Sequence, residues 1–424
     1  MPHAMISEED VTMTRSILLV TDAYPPEIRS SSILMQELAL RLVEAGLAVS
    51  VLTTFPRYNL SPAARSRYST IRGNVVADEN GIQVHRVPTL PIHHVGPLRK
   101  GIGQLALVPT LLAYALRLPR PDIVLVYSPP LPLGLLAGLL GRLRGSHVVV
   151  NVQDLFPQNA IDLGVLRGRL AVAFWKWIEA LTYRWATVVA CHSAGNRQVL
   201  QRHPQLSADK VIEVPNWIDF DLFRNTTPDP SFRALLDIPS KSIVVLFGGV
   251  LGFAQDIPTI VEAARYLPSD SPVAILVVGD GVFRSLVETA ASDVPSLYYH
   301  PFVDPDVYRR WLVAADVGLV TLGEKMKTPV VPSKLLNFMA AAKPVVAALN
   351  PESDGLPILH EAQCGLAVPP SRPQALAQAL LDLAALPATK RHRMGVQGQR
   401  YAMDHFSIDK CIARYLSIFE RLGK

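Results

Sequence analysis

Two doubly wound α/β domains with parallel sheets are the architecture this sequence predicts. Three observations lead there. Short apolar runs alternate with stretches of helical periodicity, turn-rich segments follow the runs, and 424 residues exceed one typical domain but suit two.

Each element can be justified in order. Residues 16–21, SILLVT, form the first short apolar run and read as a buried parallel strand. The turn-rich segment Asp22-Ala-Tyr-Pro-Pro-Glu27 follows. A helical pattern then spans 32–45, with Gly46 as its C-cap. Residues 49–53 make the next strand. The β-α-β unit recurs as strand 122–127, helix 131–144 and strand 146–152, and further strands fall at 187–191 and 210–214.

A second set begins after Pro215-Asn216. Its strands are 242–247, 273–278, 316–322 and 344–349, with Gly248-Gly249 after the first and Gly279-Asp280-Gly281 after the second. The hinge is expected near 215–220. The long amphipathic pattern 409–422 has the length to pack back across both domains. The divisions expected are a disordered lead-in 1–14, a first domain 15–215, a second domain 216–405 and a C-terminal helix 406–424.

Hydrophobic residues make up 49% of the chain and charged residues 18%, which is ample material for two large cores. The apolar run 102–118 is interrupted by Gln104 and Pro109, so no stretch reaches the roughly 18–20 apolar residues of a membrane span. The polar N-terminus lacks the apolar core of a secretory signal. Cys191, Cys364 and Cys411 are far apart and show no pairing or metal spacing, which fits a reducing cytoplasm. The net charge is +5, and the excess is uneven. Segment 55–120 carries basic residues from Arg57 to Arg120, Arg99 and Lys100 among them, against Asp78 and Glu79 alone. Such a segment can face nucleic acid, anionic lipid or a phosphorylated substrate, or can be a plain basic surface.

Ligands of open parallel sheets bind beyond the carboxyl ends of the strands, and the candidate residues lie there. Pro332-Ser333-Lys334 opens the apolar helix that precedes strand 344–349. A lysine is normally disfavoured at this end of the helix dipole, and an anion would compensate it. A phosphate site and a solvated lysine on an ordinary crossover both fit. Gly248, Gly249 and Gly252 permit close backbone approach to a phosphate, and so does the turn Gly279-Asp280-Gly281, with Arg284 one step into the next helix. Each glycine group also serves as a simple turn. Asp154 closes a first-domain strand, where it can bind a sugar hydroxyl, assist proton transfer or cap the next segment. Asp304-Pro-Asp306 precedes an amphipathic pattern, so Asp306 reads as a cap for 307–312 rather than a metal ligand. Among the histidines only His93-His94 are close in sequence, and no metal site is expected.

Taken together, these residues resemble glycosyltransferase family 4, the retaining GT-B enzymes. The carriers are Asp22-Ala-Tyr-Pro-Pro-Glu27-Ile28, Gln153-Asp154-Leu-Phe-Pro157, Val214-Pro-Asn-Trp-Ile-Asp219, Gly279-Asp280-Gly281, Ala314-Ala-Asp-Val-Gly-Leu-Val320 and, most specific, Pro332-Ser-Lys-Leu with Met339-Ala-Ala and Pro344-Val. The resemblance spans about Ile17 to Phe419. It is nearest to transferases that build surface-polysaccharide and O-antigen repeat units, including acetamido-deoxyhexose transferases. It implies two Rossmann-like domains facing a cleft, with the C-terminal helix crossing back to the first. The second domain would bind a nucleotide-sugar, UDP-linked, through Gly248, Gly249, Gly252, Gly279, Asp280, Gly281, Arg284, Phe302, Val303, Pro332, Ser333, Leu335 and Asn337. Lys334 and Asp154 would be the catalytic pair. The first domain would hold a glycan or lipid-linked acceptor through Glu27, Arg29, Ser30, Ser31, Gln153 and Arg57. No cofactor, metal or nucleic acid is implied, and the basic segment would rest on the cytoplasmic face of the plasma membrane.

The sequence departs from the family pattern at several points. The glycine-rich loop after Pro-Glu reads Arg29-Ser30-Ser31-Ser32, so Arg29 points to a charged acceptor or a covered phosphate. A glutamate pair common in the family falls near Pro329 and at Asn337. A common histidine falls at Gln153. The basic residue expected after the glycine pair is missing near Gln255-Asp256, which leaves Lys334 as the main cation for the leaving group. Two other readings follow from these losses: a non-catalytic partner in a glycan-assembly complex, or a sugar-nucleotide epimerase on the same fold. A dehydrogenase is disfavoured, because Gly-x-Gly-x-x-Gly is absent after the first strand.

Overall fold

The computed structural model describes residues 15–423 except Ile28, Tyr58, Asn59, His93 and His94, and without the side chains of Pro97 and Leu98. The expected lead-in 1–14 and the His93-His94 pair therefore lie outside the described residues.

The first sheet has eight strands: β1 Ser16–Val20, β2 Ala48–Thr54, β3 Val75–Glu79, β4 Ile82–Val87, β5 Ile123–Ser128, β6 His147–Val152, β7 Val188–Cys191 and β8 Val211–Glu213. They lie in the order β3-β4-β2-β1-β5-β6-β7-β8. All neighbours are parallel except β3 and β4, which form an antiparallel hairpin at the edge. That hairpin corrects the all-parallel expectation. Asn80 and Gly81 both take positive φ between its strands, the turn chemistry a two-residue hairpin requires. β3 is polar and half-exposed, so it lacks the apolar run that marks the buried strands.

The second sheet has six strands: β9 Ile243–Val250, β10 Val273–Asp280, β11 Leu297–His300, β12 Val317–Thr321, β13 Val345–Ala348 and β14 Gly365–Val368. Their order is β11-β10-β9-β12-β13-β14, all parallel. β11 and β14 were not expected from the sequence. Both are four-residue edge strands whose side chains are mostly half-buried. In each sheet the strand order reverses at one point, beside β1 and beside β9. Ligand crevices open at such reversals.

Helices Ser30–Glu44 and Leu131–Arg144 occupy the expected positions. The first begins two residues earlier than its apolar pattern, and the second is closed by Gly145 in the left-handed conformation. Helix Ile408–Arg421 returns to the first domain. Cys411, Tyr415, Ile418 and Phe419 share one buried cluster with Ile17, Leu19 and Val51. The chain crosses between domains twice, side by side. The Ile218 N–H donates to the Phe406 carbonyl at 2.8 Å, and the Ile408 N–H donates to the Ile218 carbonyl at 3.3 Å. Trp217 lies beside Tyr415 and donates its indole N–H to Glu37 at 2.7 Å.

Candidate active site

The carboxyl ends of the two sheets face a cavity of about 560 Å³. Ser30, Tyr127, Gln153, Asp154 and His192 line it from the first domain, and Asn216 and Trp217 from the crossing. Gln255, Tyr308, Arg309, Pro332, Ser333, Lys334 and Asn337 line it from the second.

Lys334 is set by both its helix and its neighbours. Helix Ser333–Ala340 buries Leu335, Leu336, Phe338, Met339 and Ala340, which turns Ser333, Lys334 and Asn337 toward the cavity. The Lys334 amine donates to Gln255 Oε1 at 2.5 Å and stands 5.0 Å from the Phe247 ring centroid. Burial lowers its pKa from 10.5 to about 8. Gly249 gives the lysine its space. A Cβ there would sit 3.0 Å from Lys334 Cε and 3.2 Å from Nζ, and the residue's φ is +134°. Gly248 makes room for Tyr308, whose hydroxyl oxygen would lie 2.1 Å from a Cβ.

The other glycines act differently. A Cβ on Gly279 would lie 1.9 Å from the Gly249 carbonyl oxygen, so this residue lets β9 and β10 close on one another. Gly281 is pressed against Leu251 and has φ +151°. Gly252 has ordinary space, with its nearest neighbour at 3.6 Å. Asp280 accepts the Gly281 N–H at 2.7 Å and lies 3.6 Å from Arg284, which also pairs with Glu288 at 2.9 Å. Phe302 is 47% exposed, Val303 packs on the core and Leu335 is fully buried. None of these residues, nor Gly248 or Gly249, lines the central cavity.

On the first-domain side, Asp154 is exposed to the cleft, yet the surrounding protein raises its pKa. It does not cap the next helix, Gln158–Asp162, whose cap position is taken by Pro157. Gln153 accepts from the Asn216 side chain at 2.7 Å and donates to Asn151 at 2.8 Å, so it ties the end of β6 to the crossing. The register of β6 on β7 pairs Val152 with Cys191, which sets His192 next to Gln153. His192 is buried, and burial lowers its pKa. Its Nε2 lies 3.1 Å from the Asn196 amide nitrogen.

Arg29 lies 3.1 Å from Asp22 and 3.5 Å from Glu27, both buried, so two carboxylates balance its charge within the loop. Glu27 also accepts the Arg57 backbone N–H at 2.5 Å, while the Arg57 side chain is exposed. Ser31 hydrogen-bonds the Tyr127 phenol, whose pKa is raised by burial and then by the charge of Asp154. Glu27, Arg29, Ser31 and Arg57 are not in the cavity wall.

Three features differ from the sequence reading. Asp304, not Asp306, caps the helix that follows, accepting the Asp306 N–H at 3.0 Å, and that helix is Pro305–Ala314. The basic segment does not form one surface. Arg86 is buried against Glu79 at 2.8 Å and the Pro25 carbonyl at 2.6 Å, and Arg120 bonds Gly145 at the opposite end of the sheet from the cleft. Sequence reasoning also missed Gln255, Tyr308, Arg309 and His192. Arg309 is a second cation on the cavity wall, paired with Asp306 at 3.1 Å. Its only sequence signal was the turn spacing from Asp306, which any exposed helix pair shares.

Comparison with known proteins agrees with this geometry. A glycosyl transferase 4-like domain matches residues 33–217, and a glycosyl transferases group 1 domain matches residues 242–385. With the two-domain fold and its cleft, these matches make the chain a glycosyltransferase of the family 4 type. Among individual proteins, it is 28% identical over 310 residues to WbjE of Pseudomonas aeruginosa, named as a glycosyltransferase, covering 70% of this chain and 76% of that one. It is 25% identical over 344 residues to WcaI of Escherichia coli strain K12, named as a glycosyl transferase of colanic acid biosynthesis, covering 76% and 81%. The crystal structure of HepE from Anabaena, in complex with UDP-glucose, superposes with a TM-score of 0.67 at 17% identity over 95% of this chain and 99% of that one. That likeness shows the GT-B fold.

Proposed function

We propose that this protein moves an N-acetylated hexose or deoxyhexose, with retention, from a UDP-sugar to a lipid-linked acceptor. The product would serve surface-polysaccharide assembly of the O-antigen kind, at the cytoplasmic face of the plasma membrane. One observation carries the reading: a depressed-pKa lysine at a helix N-terminus, given its space by Gly249, facing a cleft between two Rossmann-like domains. The naming of WcaI for colanic acid biosynthesis supports the pathway class, and the UDP-glucose of HepE supports the donor class.

As the bond from C1 to the donor phosphate oxygen breaks, negative charge collects on the leaving diphosphate. Lys334, the N-terminus of helix Ser333–Ala340 and Arg309 lie on the cavity wall to oppose it. The acceptor oxygen bonds to C1 on the same face, and its proton passes to the departing phosphate. Asp154, exposed on the first-domain wall, is positioned to hold a sugar hydroxyl. The protein thus supplies the positive field itself, without a metal.

The test is thermal unfolding against UDP, GDP and their sugars, together with UDP release in the presence of lipid extracts. UDP should raise the melting temperature of the wild type and leave Lys334→Ala unshifted. Isomerisation of free UDP-sugar would establish an epimerase instead. No shift with any nucleotide in a folded sample would establish a non-catalytic partner.

A further inference from the structure

We infer that the outward face of helix Arg169–Trp185 docks on an anionic lipid bilayer. The helix is apolar on two sides. Trp175, Ile178 and Thr182 point inward and are buried. On the other side Leu170 is 88% exposed, Phe174 39% and Trp177 56%, at spacings of four and three residues that form one stripe. Val165, 68% exposed, lies just ahead of the helix. A soluble helix normally shows one apolar stripe, facing its core. A second stripe of leucine, phenylalanine and tryptophan is the composition of an interfacial helix, with tryptophan suited to the headgroup level.

Charge chooses the occupant. Arg167, Arg169, Lys176 and Arg184 are exposed around the stripe, while the helix's one acidic residue, Glu179, is turned inward toward His203 at 3.9 Å. On its inward side the helix meets the start of helix Pro97–Ala115, where Gly101 faces the Trp175 ring. A second copy of the chain on a two-fold axis would oppose these basic residues to their own equivalents. An anionic surface complements them.

The inward side of the same helix reaches the segment that carries Asp154. Phe156, two residues after Asp154, stacks edge-on against Trp175 at 5.2 Å. A protein seated on this helix holds its first domain at the bilayer. Delivery of a lipid-linked acceptor there rests on the transferase reading, whereas the membrane contact itself does not. Membrane docking is thereby placed on residues 165–185 rather than along 55–120.

The experiment is flotation of the full chain with vesicles of phosphatidylcholine alone and of phosphatidylcholine with phosphatidylglycerol. The wild type should float with the anionic vesicles. Phe174→Ser with Trp177→Ser should weaken binding roughly tenfold or more. Arg169→Glu with Lys176→Glu should weaken it by at least roughly fivefold per residue. Melting temperature and the UDP-induced shift, measured on each variant, should match the wild type, because these side chains are exposed and none lines the cavity. Equal binding by wild type and the Phe174/Trp177 variant would overturn the proposal. So would no binding to either vesicle, or a wild-type dimer that this variant dissolves. Loss of the UDP shift in the wild type with vesicle binding intact would reject the transferase reading alone.

Discussion

The Lys334 amine is held between a glutamine carbonyl and a phenylalanine face in a site that disfavours its charge. Its proton is therefore loosely held, with a pKa of about 8 against the usual 10.5. Between those values the unfolded chain binds more proton than the folded one, so this group makes stability rise with pH across that window. On the proposed function, diphosphate binding has the opposite sign, because it would need the protonated amine. UDP affinity, measured by titration calorimetry, should be flat between about pH 7 and 8, where the UDP phosphate is fully ionised, and fall by up to about tenfold per pH unit above it. Lys334→Met should remove that slope; a slope that persists would place the titrating group elsewhere. Gly249 makes a second test. Gly249→Ala forces a Cβ against Lys334 at a φ that disfavours side chains, and should cost about 1–3 kcal/mol in stability as well as UDP affinity. Gly252→Ala meets nothing closer than 3.6 Å and should be near neutral. Equal effects from the two would show that the lysine does not depend on this space.

Helix Ile408–Arg421 is the element on which the first domain's core depends. Cys411, Tyr415, Ile418 and Phe419 are almost fully buried against β1 and β2. Each large apolar side chain buried is worth roughly 1.5–3 kcal/mol, and a domain's whole stability is about 5–15 kcal/mol. Truncation after Ser407 should therefore leave the first domain unable to fold, seen as loss of its cooperative unfolding transition. Tyr415→Ala alone should cost about 3–5 kcal/mol. A truncated chain that melts like the full one would show that the returning helix is dispensable.

At the scale of the whole molecule, the two domains meet, among the described residues, through polar contacts beside the double crossing. The Gly195 N–H donates to Asp354 at 3.1 Å, and the Asn196 amide donates to the Pro329 carbonyl at 3.2 Å. A Cβ on Gly195 would lie 2.7 Å from the Asp354 carboxylate and from Pro329, so the approach is close. Asp354→Ala should loosen the closed arrangement. The radius of gyration from small-angle scattering should rise, turnover should fall, and UDP affinity, which the proposed function assigns to second-domain residues, should change little. A variant with unchanged scattering and turnover would show that this contact does not hold the domains.

Much of this was legible in the sequence because parallel strands buried on both faces leave continuous apolar runs, as in residues 122–127 and 273–278. Glycines at strand ends and Lys334 at a helix start were legible for the same local reason: their signals lie within a few adjacent residues. The edge strands β3, β11 and β14 were not, because a half-exposed strand carries no such run. Nor were the partners of Lys334. Gln255 lies 79 residues away in sequence, and nothing local joins it to the lysine. Arg309 and His192 became cavity residues only when the sheets folded and faced one another. The sequence by itself determined the α/β class, the strand ends where a ligand can bind and the lysine at one of them. Only the tertiary structure decided which of those residues share a cavity, that Arg29 is balanced by Asp22 and Glu27, and that an apolar stripe faces outward on helix Arg169–Trp185. These depend on distances between segments far apart in the chain, and those distances are set by packing rather than by local propensity.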